Sequence, residues 1–337
     1  MTLKELIGHV MAPVARALTG SRPRVLFYHR FGEGNRRHMS GREFEQQVRY
    51  LRRHFKLVPL SVITSALAEG KPLPRKVVAL TVDDGYADFI HTAYPVIKKY
   101  RVPITVFVVS EFAKKDTWLW YDRVRFICTN APAAELTIGV LDKTFRFSFE
   151  NNEAREQAWD SFCSWCVGLS TEDRMHAIGL LEQATQVQVP VNPPDKFKGL
   201  TVENMLSMDP TLVEIGAHTR THVILSRCSE EEQREEIEGS KHALEALLHR
   251  QVAHFAYPNG QDADFNETSV RLVQSSGMKA AVTVKGSLIE KSVDLFKVPR
   301  LCASTDAAVF HNEVNGVSHL KNRMLAWAFG KRRKEIA

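Results

Sequence analysis

Two short stretches of this chain carry residue types that can do hydrolytic chemistry together. In the first, Val78-Ala-Leu-Thr-Val-Asp83-Asp84-Gly85, two carboxylates follow a continuous apolar run. Acids beside a buried strand are costly unless something cationic neutralises them. One carboxylate can ligate a cation while its neighbour takes a proton from water. An acidic turn capping the next helix is the plain structural alternative. A glycosidase also uses two carboxylates, but these flank a sugar from opposite sides, roughly 5–9 Å apart. Adjacent residues meet that requirement poorly. In the second stretch, Glu214-Ile-Gly-Ala-His218-Thr-Arg-Thr-His222, two imidazoles four residues apart can converge on one ion, and neutral imidazole suits zinc. Two histidines and one aspartate leave zinc an open position, as in catalytic sites. The competing reading is a chance pair in a chain with 13 histidines.

Both stretches follow segments that read as strands. Val77 to Val82 is a continuous apolar run and Ile104 to Val109 another buried strand, as expected of strands covered on both faces, while Val25 to Tyr28, Val213 to Ala217, Ala253 to Tyr257 and Ala280 to Val284 read as further short strands. Helical patterns lie between them. Ser40 with Glu43 forms a capping box ahead of the Phe44, Val48, Leu51, Phe55 stripe, and Ser229 with Glu232 forms another. Ser61 to Ala68 ends at Gly70, and further helices are expected over Ala87 to Tyr100 and Glu267 to Ser275. The alternation predicts an α/β fold with a parallel sheet or barrel. In such folds the residues at the carboxyl ends of strands line the site.

From Asp116 to Leu200 the alternation stops. Helical patterns around Glu153–Val167 and Thr171–Thr185 and a Pro-rich linker predict a helical insertion at 116–200. The α/β domain then comprises 21–115 and 201–303, preceded by an amphipathic helix at 1–20 and followed by a helical basic segment at 304–337. Trp118, Trp120 and Tyr121 can stack on sugar rings, with Asp122 and Arg123 bonding hydroxyls or phosphate; the same residues can instead pin the insertion by packing.

Apolar residues make up 44% and charged residues 25% of the 337, which describes an ordinary globular chain. The net charge of +6 gathers at the ends, in Arg22, Arg24, Arg30, Arg36 and Arg37 and in Lys331, Arg332, Arg333 and Lys334. No zinc-finger, RNA-binding or helix-turn-helix signature accompanies it, so no nucleic-acid partner is expected. An anionic surface or plain solvation remain as readings of that charge. Leu3, Leu6, Ile7, Val10, Met11, Val14 and Leu18 recur at helical spacing; they can lie on a membrane surface or pack on the domain. No run is long enough to span a bilayer. Five cysteines, with Cys163 and Cys166 as a lone C-x-x-C inside a helix, form no disulfide framework, which favours a reducing compartment. The expected location is the cytoplasm, with peripheral contact on the inner membrane face. Oligomeric state is not legible.

Thr81-Val-Asp-Asp-Gly85, His218-Thr-Arg-Thr-His222 and, in altered form, Phe255-Ala-Tyr-Pro-Asn-Gly260 together resemble the three motifs of the NodB-like polysaccharide deacetylases, carbohydrate esterase family 4. The resemblance covers about residues 24–110 and 200–303. It implies a distorted (β/α)7-type barrel, a divalent metal ion, zinc by the donor set, and a carbohydrate substrate bearing an N-acetylated amino sugar. It assigns Asp83 as general base and Asp84, His218 and His222 as metal ligands, with metal-bound water attacking the acetamide carbonyl. Tyr257, Pro258 and Asn259 would serve substrate and oxyanion. Two departures stand out. The third-motif arginine is replaced by Ala256, so Arg300, in Val298-Pro-Arg300-Leu, would supply the guanidinium. No late histidine motif is found, but Leu26-Phe-Tyr-His29-Arg looks like that of the permuted branch of the family, making His29 the general acid over His311 and His319. Deformylation of a lipid-linked aminosugar, or a non-catalytic sugar-binding role, are the alternatives to N-deacetylation.

Overall fold

A computed structural model describes residues 3–33, 37–115 and 117–325, with the side chains of residues 3–10 excepted. The basic cluster Lys331–Lys334, Arg36, Asp116 and the side chains of Leu3, Leu6, Ile7 and Val10 therefore lie outside the described residues.

Among the described residues, eleven strands follow in chain order: β1 (Arg24–Tyr28), β2 (Lys56–Leu57), β3 (Val77–Val82), β4 (Ile104–Val108), β5 (Glu135–Val140), β6 (Lys143–Ser148), β7 (Val213–Ala217), β8 (His254–Ala256), β9 (Ala280–Thr283), β10 (Val298–Pro299) and β11 (Leu301–Cys302). The main sheet runs β10-β9-β8-β7-β4-β3-β1-β11, with β2 beside β3, and every pairing in it is parallel. Because β10 and β11 flank Arg300 on one continuous segment, that segment pairs with β9 on one side and β1 on the other. It closes the ring as a seventh stave, which gives the (β/α)7-type barrel that the motifs implied.

Side chains alternate across each stave. Val78, Leu80 and Val82 face the surrounding helices, where they join Leu26, Ile104, Val106 and Leu301 in one core cluster. Val77 and Ala79 belong to a second cluster with Val25, Phe107, Ala256, Val282 and Val298, which fills the barrel interior. Continuing the inward register by twos leads from Val25 to Phe27 and His29, from Val77 to Thr81 and Asp83, from Glu214 to Gly216 and His218, and from Val298 to Arg300. The interior is tight beneath them: a Cβ on Gly216 would stand 2.5 Å from the Phe107 ring.

The expected regular helix over 87–100 is a π-turn at Phe89–Ala93 followed by an α-helix at Tyr94–Tyr100. The insertion is also more than helical. Beside helices Trp120–Asn130, Asn152–Cys166 and Thr171–Thr185 it holds the antiparallel hairpin β5–β6. The hairpin turns its alternating Ile138, Val140, Phe145 and Phe147 onto Phe162, Ile178 and Leu181, forming a core separate from that of the barrel.

Among the described residues, Arg22, Arg24 and Arg30 near the chain's start do not make a surface patch. Arg24 is fully buried and donates to Val314 O and Thr19 Oγ1. Arg22 pairs with Glu290 and Arg30 with Asp88. Helix Leu3–Leu18 packs along helix Ala307–Asn315, burying Ala12 and Ala15. No described helix is long and apolar enough to cross a membrane.

Candidate functional site

The tight turn after β3 places the two acids differently. Asp83 keeps the strand register and points into the barrel mouth. Asp84 adopts a left-handed conformation (φ 69°) and Gly85 follows at φ 77°, where a Cβ would meet Val108 at 3.1 Å. Only glycine adopts such a conformation without cost. Thr219, His222 and Asn259 are also left-handed, at φ 62°, 60° and 57°. Uncommon backbone conformations thus gather on the same end of the barrel.

The turn after β7 is locked by polar contacts. His222 N–H donates to Thr219 Oγ1 at 2.9 Å. Glu236, on helix Glu230–Leu248, accepts from the N–H groups of Arg220 and Thr221 at 2.7 and 2.9 Å. Nothing in the local sequence signals that role for Glu236, which lies 16 residues downstream of Arg220. The turn brings His218 Nε2 and His222 Nε2 to 3.4 and 3.3 Å from Asp84 Oδ1.

These three groups fit a metal ion. Two donors about 2.0–2.1 Å from one tetrahedral ion stand about 3.3–3.4 Å apart, which matches the spacing to Asp84. Asp84 Oδ1 is buried without a hydrogen-bond partner. His218 Nδ1 lies 2.7 Å from Ala256 O, which holds the ring in the tautomer whose Nε2 lone pair faces the site. Burial alone would raise the Asp84 carboxyl, but the two imidazoles outweigh it and hold the group well below its ordinary range. Among the described residues, this is the one cluster of three such side chains.

Arg300 meets Asp83 from below. Its NH1 and NH2 groups donate to Asp83 Oδ1 and Oδ2 at 2.6 and 2.7 Å, while NH1 also donates to Thr81 Oγ1 and Nε to Thr283 O. The guanidinium lies over the rings of Phe27 and Phe107. Burial pushes the Asp83 carboxyl up, and the bidentate guanidinium more than reverses this, so Asp83 stays ionised. Ala256 also faces inward, and its small side chain is part of the interior packing.

His29 stands at the mouth, 47% exposed, with Nε2 3.8 Å from Asp83 Oδ2. Of the three third-motif residues, Asn259 alone lines the cavity. Strand parity turns Tyr257 outward: its ring stacks on Phe265 and its hydroxyl donates to Phe296 O, so its side chain does not reach substrate, and Pro258 is buried. His311 stacks on Tyr50 in a separate cavity and His319 contacts Arg22 and Glu290, so neither reaches Asp83.

The cavity over the site, about 280 Å³, has a second wall from the insertion, including Trp120, Tyr121, Trp159, Asp160 and Cys163. The Tyr121 ring stands edge-on to His222, with centroids 5.1 Å apart. Trp118 instead donates to Pro190 O and packs on Phe197, Arg123 pairs with Glu182, and Asp122 accepts from Tyr86 Oη at 2.5 Å. Packing is thus the role of most of this aromatic segment. Cys163 and Cys166 are both free thiols.

The polysaccharide deacetylase family model matches residues 70–132 and 199–281. Bacillus subtilis (strain 168) YxkH, which carries that family's name, is 20% identical over 281 residues, or 83% of this chain and 71% of YxkH. The poly-β-1,6-N-acetyl-D-glucosamine N-deacetylase of Escherichia coli (strain K12) is 37% identical over 59 residues, 17% of this chain and 9% of that one. In fold, the chain resembles IcaB from Ammonifex degensii, with a TM-score of 0.58 and 20% identity over 87% of this chain and 97% of that one. It also resembles the Streptococcus pyogenes deacetylase PplD, with a TM-score of 0.57 and 18% identity over 86% and 96% of the two chains. In both matched segments, which carry the two acids and the two histidines, the chain is thus similar to the polysaccharide deacetylases, hydrolases of N-acetyl amide bonds.

Proposed function

We propose that the protein is a metal-dependent N-deacetylase that releases acetate from an N-acetylhexosamine unit of a glycan. One observation carries this: a buried Asp84–His218–His222 donor set stands beside a carboxylate, Asp83, that Arg300 holds ionised. A divalent cation held there, zinc by its donors, supplies Lewis acidity that brings the pKa of water towards about 7 and polarises the acyl carbonyl.

Asp83 takes the proton released as water adds to the carbonyl carbon. Arg300 lowers the proton affinity of Asp83, so the carboxylate would suit water whose own pKa a bound cation had lowered. Arg300 fixes the carboxylate through two hydrogen bonds and keeps its charge compensated throughout. A backbone N–H beside Asn259, which lines the cavity, would serve the developing oxyanion. His29, within reach of Asp83 and open to the mouth, gives a proton to the departing nitrogen as the C–N bond breaks, leaving acetate and a free amine. The guanidinium missing at Ala256 is supplied from the next stave but one, which speaks against a non-catalytic reading; the missing late histidine is met only by the proposed role of His29. Acetate release from N-acetylated glycans, lost in Asp83→Asn, is the expected result. Formate release from N-formyl aminosugars, without acetate release, would establish deformylation instead.

We also propose peripheral membrane contact on the cytoplasmic face through helix Leu3–Leu18, because Met11, Val14 and Leu18 stay 43%, 51% and 66% exposed on the flank beside its packed face. Sedimentation with anionic vesicles, weakened in a Val14→Asp/Leu18→Asp double variant, tests it; equal sedimentation of both proteins counts against it.

A further inference from the structure

A second cavity, of about 300 Å³, lies where three helices meet. Helix Leu3–Leu18 lines it with Ala12, Pro13 and Arg16, helix Gly41–His54 with Tyr50, Arg53 and His54, and helix Ala307–Asn315 with His311. Its floor is apolar and aromatic: the Tyr50 ring contacts those of His54 and His311, with centroids 4.5 and 4.3 Å apart. Its rim is cationic, and no acid lines it among the described residues. Arg16 donates to Asn315 Oδ1 at 2.9 Å and to Tyr50 Oη at 3.2 Å, so neutral groups hold its charge without compensating it. None of Arg16, Arg53 and His54 forms an ion pair with a described carboxylate. Burial lowers the His54 imidazole below its ordinary pKa, and Arg16, Arg53, His311 and Lys76 lower it further. The carbonyls that end helix Gly41–His54 favour Arg53 and His54 in its last turn. They do not account for Arg16 and His311, which converge on the same cavity from two other helices. Like charges gathered in this way repel one another until an anion joins them.

The outer face of helix Leu3–Leu18 indicates which anion. At about 3.6 residues per turn, Pro13, Ala17, Val14, Leu18 and Met11 follow one another around the helix, and all five are exposed. This apolar arc begins at Pro13, on the edge of the cavity. Apolar residues on a helix surface enter the interfacial layer of a bilayer, and guanidinium groups pair with phosphate oxygens. A phosphate monoester offers three acceptor oxygens and a charge of about −1.5 to −2 at neutral pH, enough to engage two guanidinium groups at once. We infer that this cavity binds the phosphate monoester headgroup of an anionic lipid, held by Arg16 and Arg53, with the apolar arc of the helix against the acyl layer. The cavity lies beside the start of β2, which pairs with the start of β3, at the end of the barrel opposite the metal-type triad. A lipid held there does not enter the catalytic cavity. The inference rests on the membrane contact proposed above and is independent of the deacetylase activity.

The test uses the full-length protein and phosphatidylcholine vesicles that contain either phosphatidic acid or, at matched zeta potential, phosphatidylserine. Sedimentation should show at least tenfold tighter binding to the phosphatidic acid vesicles. Arg53→Gln and Arg16→Gln should each remove most of that preference. Arg53 is exposed, so its variant covers the case in which loss of the Asn315 and Tyr50 bonds unfolds the Arg16 variant. Arg49→Gln, one turn earlier on the same helix and outside the cavity, removes an equal charge and should leave the preference intact. Equal binding to the two anionic vesicles, or equal losses in the Arg49 and Arg53 variants, would overturn the headgroup site while leaving the membrane contact in place. Calorimetric titration with glycerol 3-phosphate and with inorganic phosphate should show binding at least tenfold weaker than to the phosphatidic acid surface. Equal affinity for either would make the ligand a soluble phosphate and overturn the lipid assignment. Sedimentation with neither vesicle would overturn the membrane contact itself, and the headgroup site with it.

Discussion

The two walls of the cavity are built on opposite plans. The barrel wall comes from strand-end turns with left-handed residues at Asp84, Thr219, His222 and Asn259, and its Asp83–Arg300 ion pair is buried. The insertion wall comes from two helices, Trp120 and Tyr121 from one and Trp159, Asp160 and Cys163 from the other, with Trp159 half-buried and Asp160 paired near the surface. Bond-making needs donors fixed to within fractions of an ångström, which closely packed strands supply. Recognition of a sugar tolerates more play, so it can reside on an added unit that has its own core.

The largest effect should come from the barrel wall. Asp83→Asn removes the proposed base and leaves Arg300 without its counter-charge; turnover should fall about 10⁴-fold, the upper range for a general base. Acetate release by the folded variant measures it, and a loss below tenfold would break the division of labour. His218→Ala should cost most of the bound zinc, read by elemental analysis, while Trp159→Ala keeps it.

Phe162→Ala addresses the other wall. Truncating this fully buried ring in the insertion core should cost about 3–5 kcal/mol of that unit's stability. Denaturation followed by insertion tryptophan fluorescence should show it, with zinc content preserved. Parallel loss of zinc would mean that the two walls share one cooperative unit. His29→Ala should lower turnover about 10²-fold and leave zinc bound; unchanged turnover would move the acid elsewhere.

The smallest effect concerns the joint between the walls. Arg30 lies over the Tyr86 ring at 3.8 Å and pairs with Asp88, and Tyr86 donates to Asp122 of the insertion. Burial raises the Asp122 carboxyl to about 6, with Arg30 and Tyr86 opposing. The folded protein then holds a proton that the unfolded chain releases near pH 4. Stability should therefore fall as pH rises from about 4 to about 6 and stay lower above that. Asp122→Asn should flatten this slope, by roughly 1–3 kcal/mol between pH 4 and pH 7. Urea midpoints at the two pH values decide it, and an unchanged slope would count against the joint.

Much of the barrel was legible because its signals are local. Buried parallel strands read as short apolar runs, as in β3, and the Ser40–Glu43 and Ser229–Glu232 boxes mark where helices begin. The hairpin β5–β6 carries a period-two alternation at Ile138, Val140, Phe145 and Phe147, but the helix-length patterns in the segments after it mask that signal. The π-turn at Phe89–Ala93 has no comparable local mark.

By itself the sequence determined which residues are chemically able to hold a cation and move a proton, since Asp83-Asp84-Gly85 and His218–His222 are each contiguous motifs whose spacing is set by one turn. Only the tertiary structure decided what surrounds them. Barrel closure carries Arg300 to Asp83 across 217 residues, and strand parity sends Tyr257 away from the site while turning His29 towards it. The insertion's separate packing brings Trp159 over the cavity. These outcomes depend on register and ring closure, which arise when distant strands pair and which no local stretch of sequence encodes.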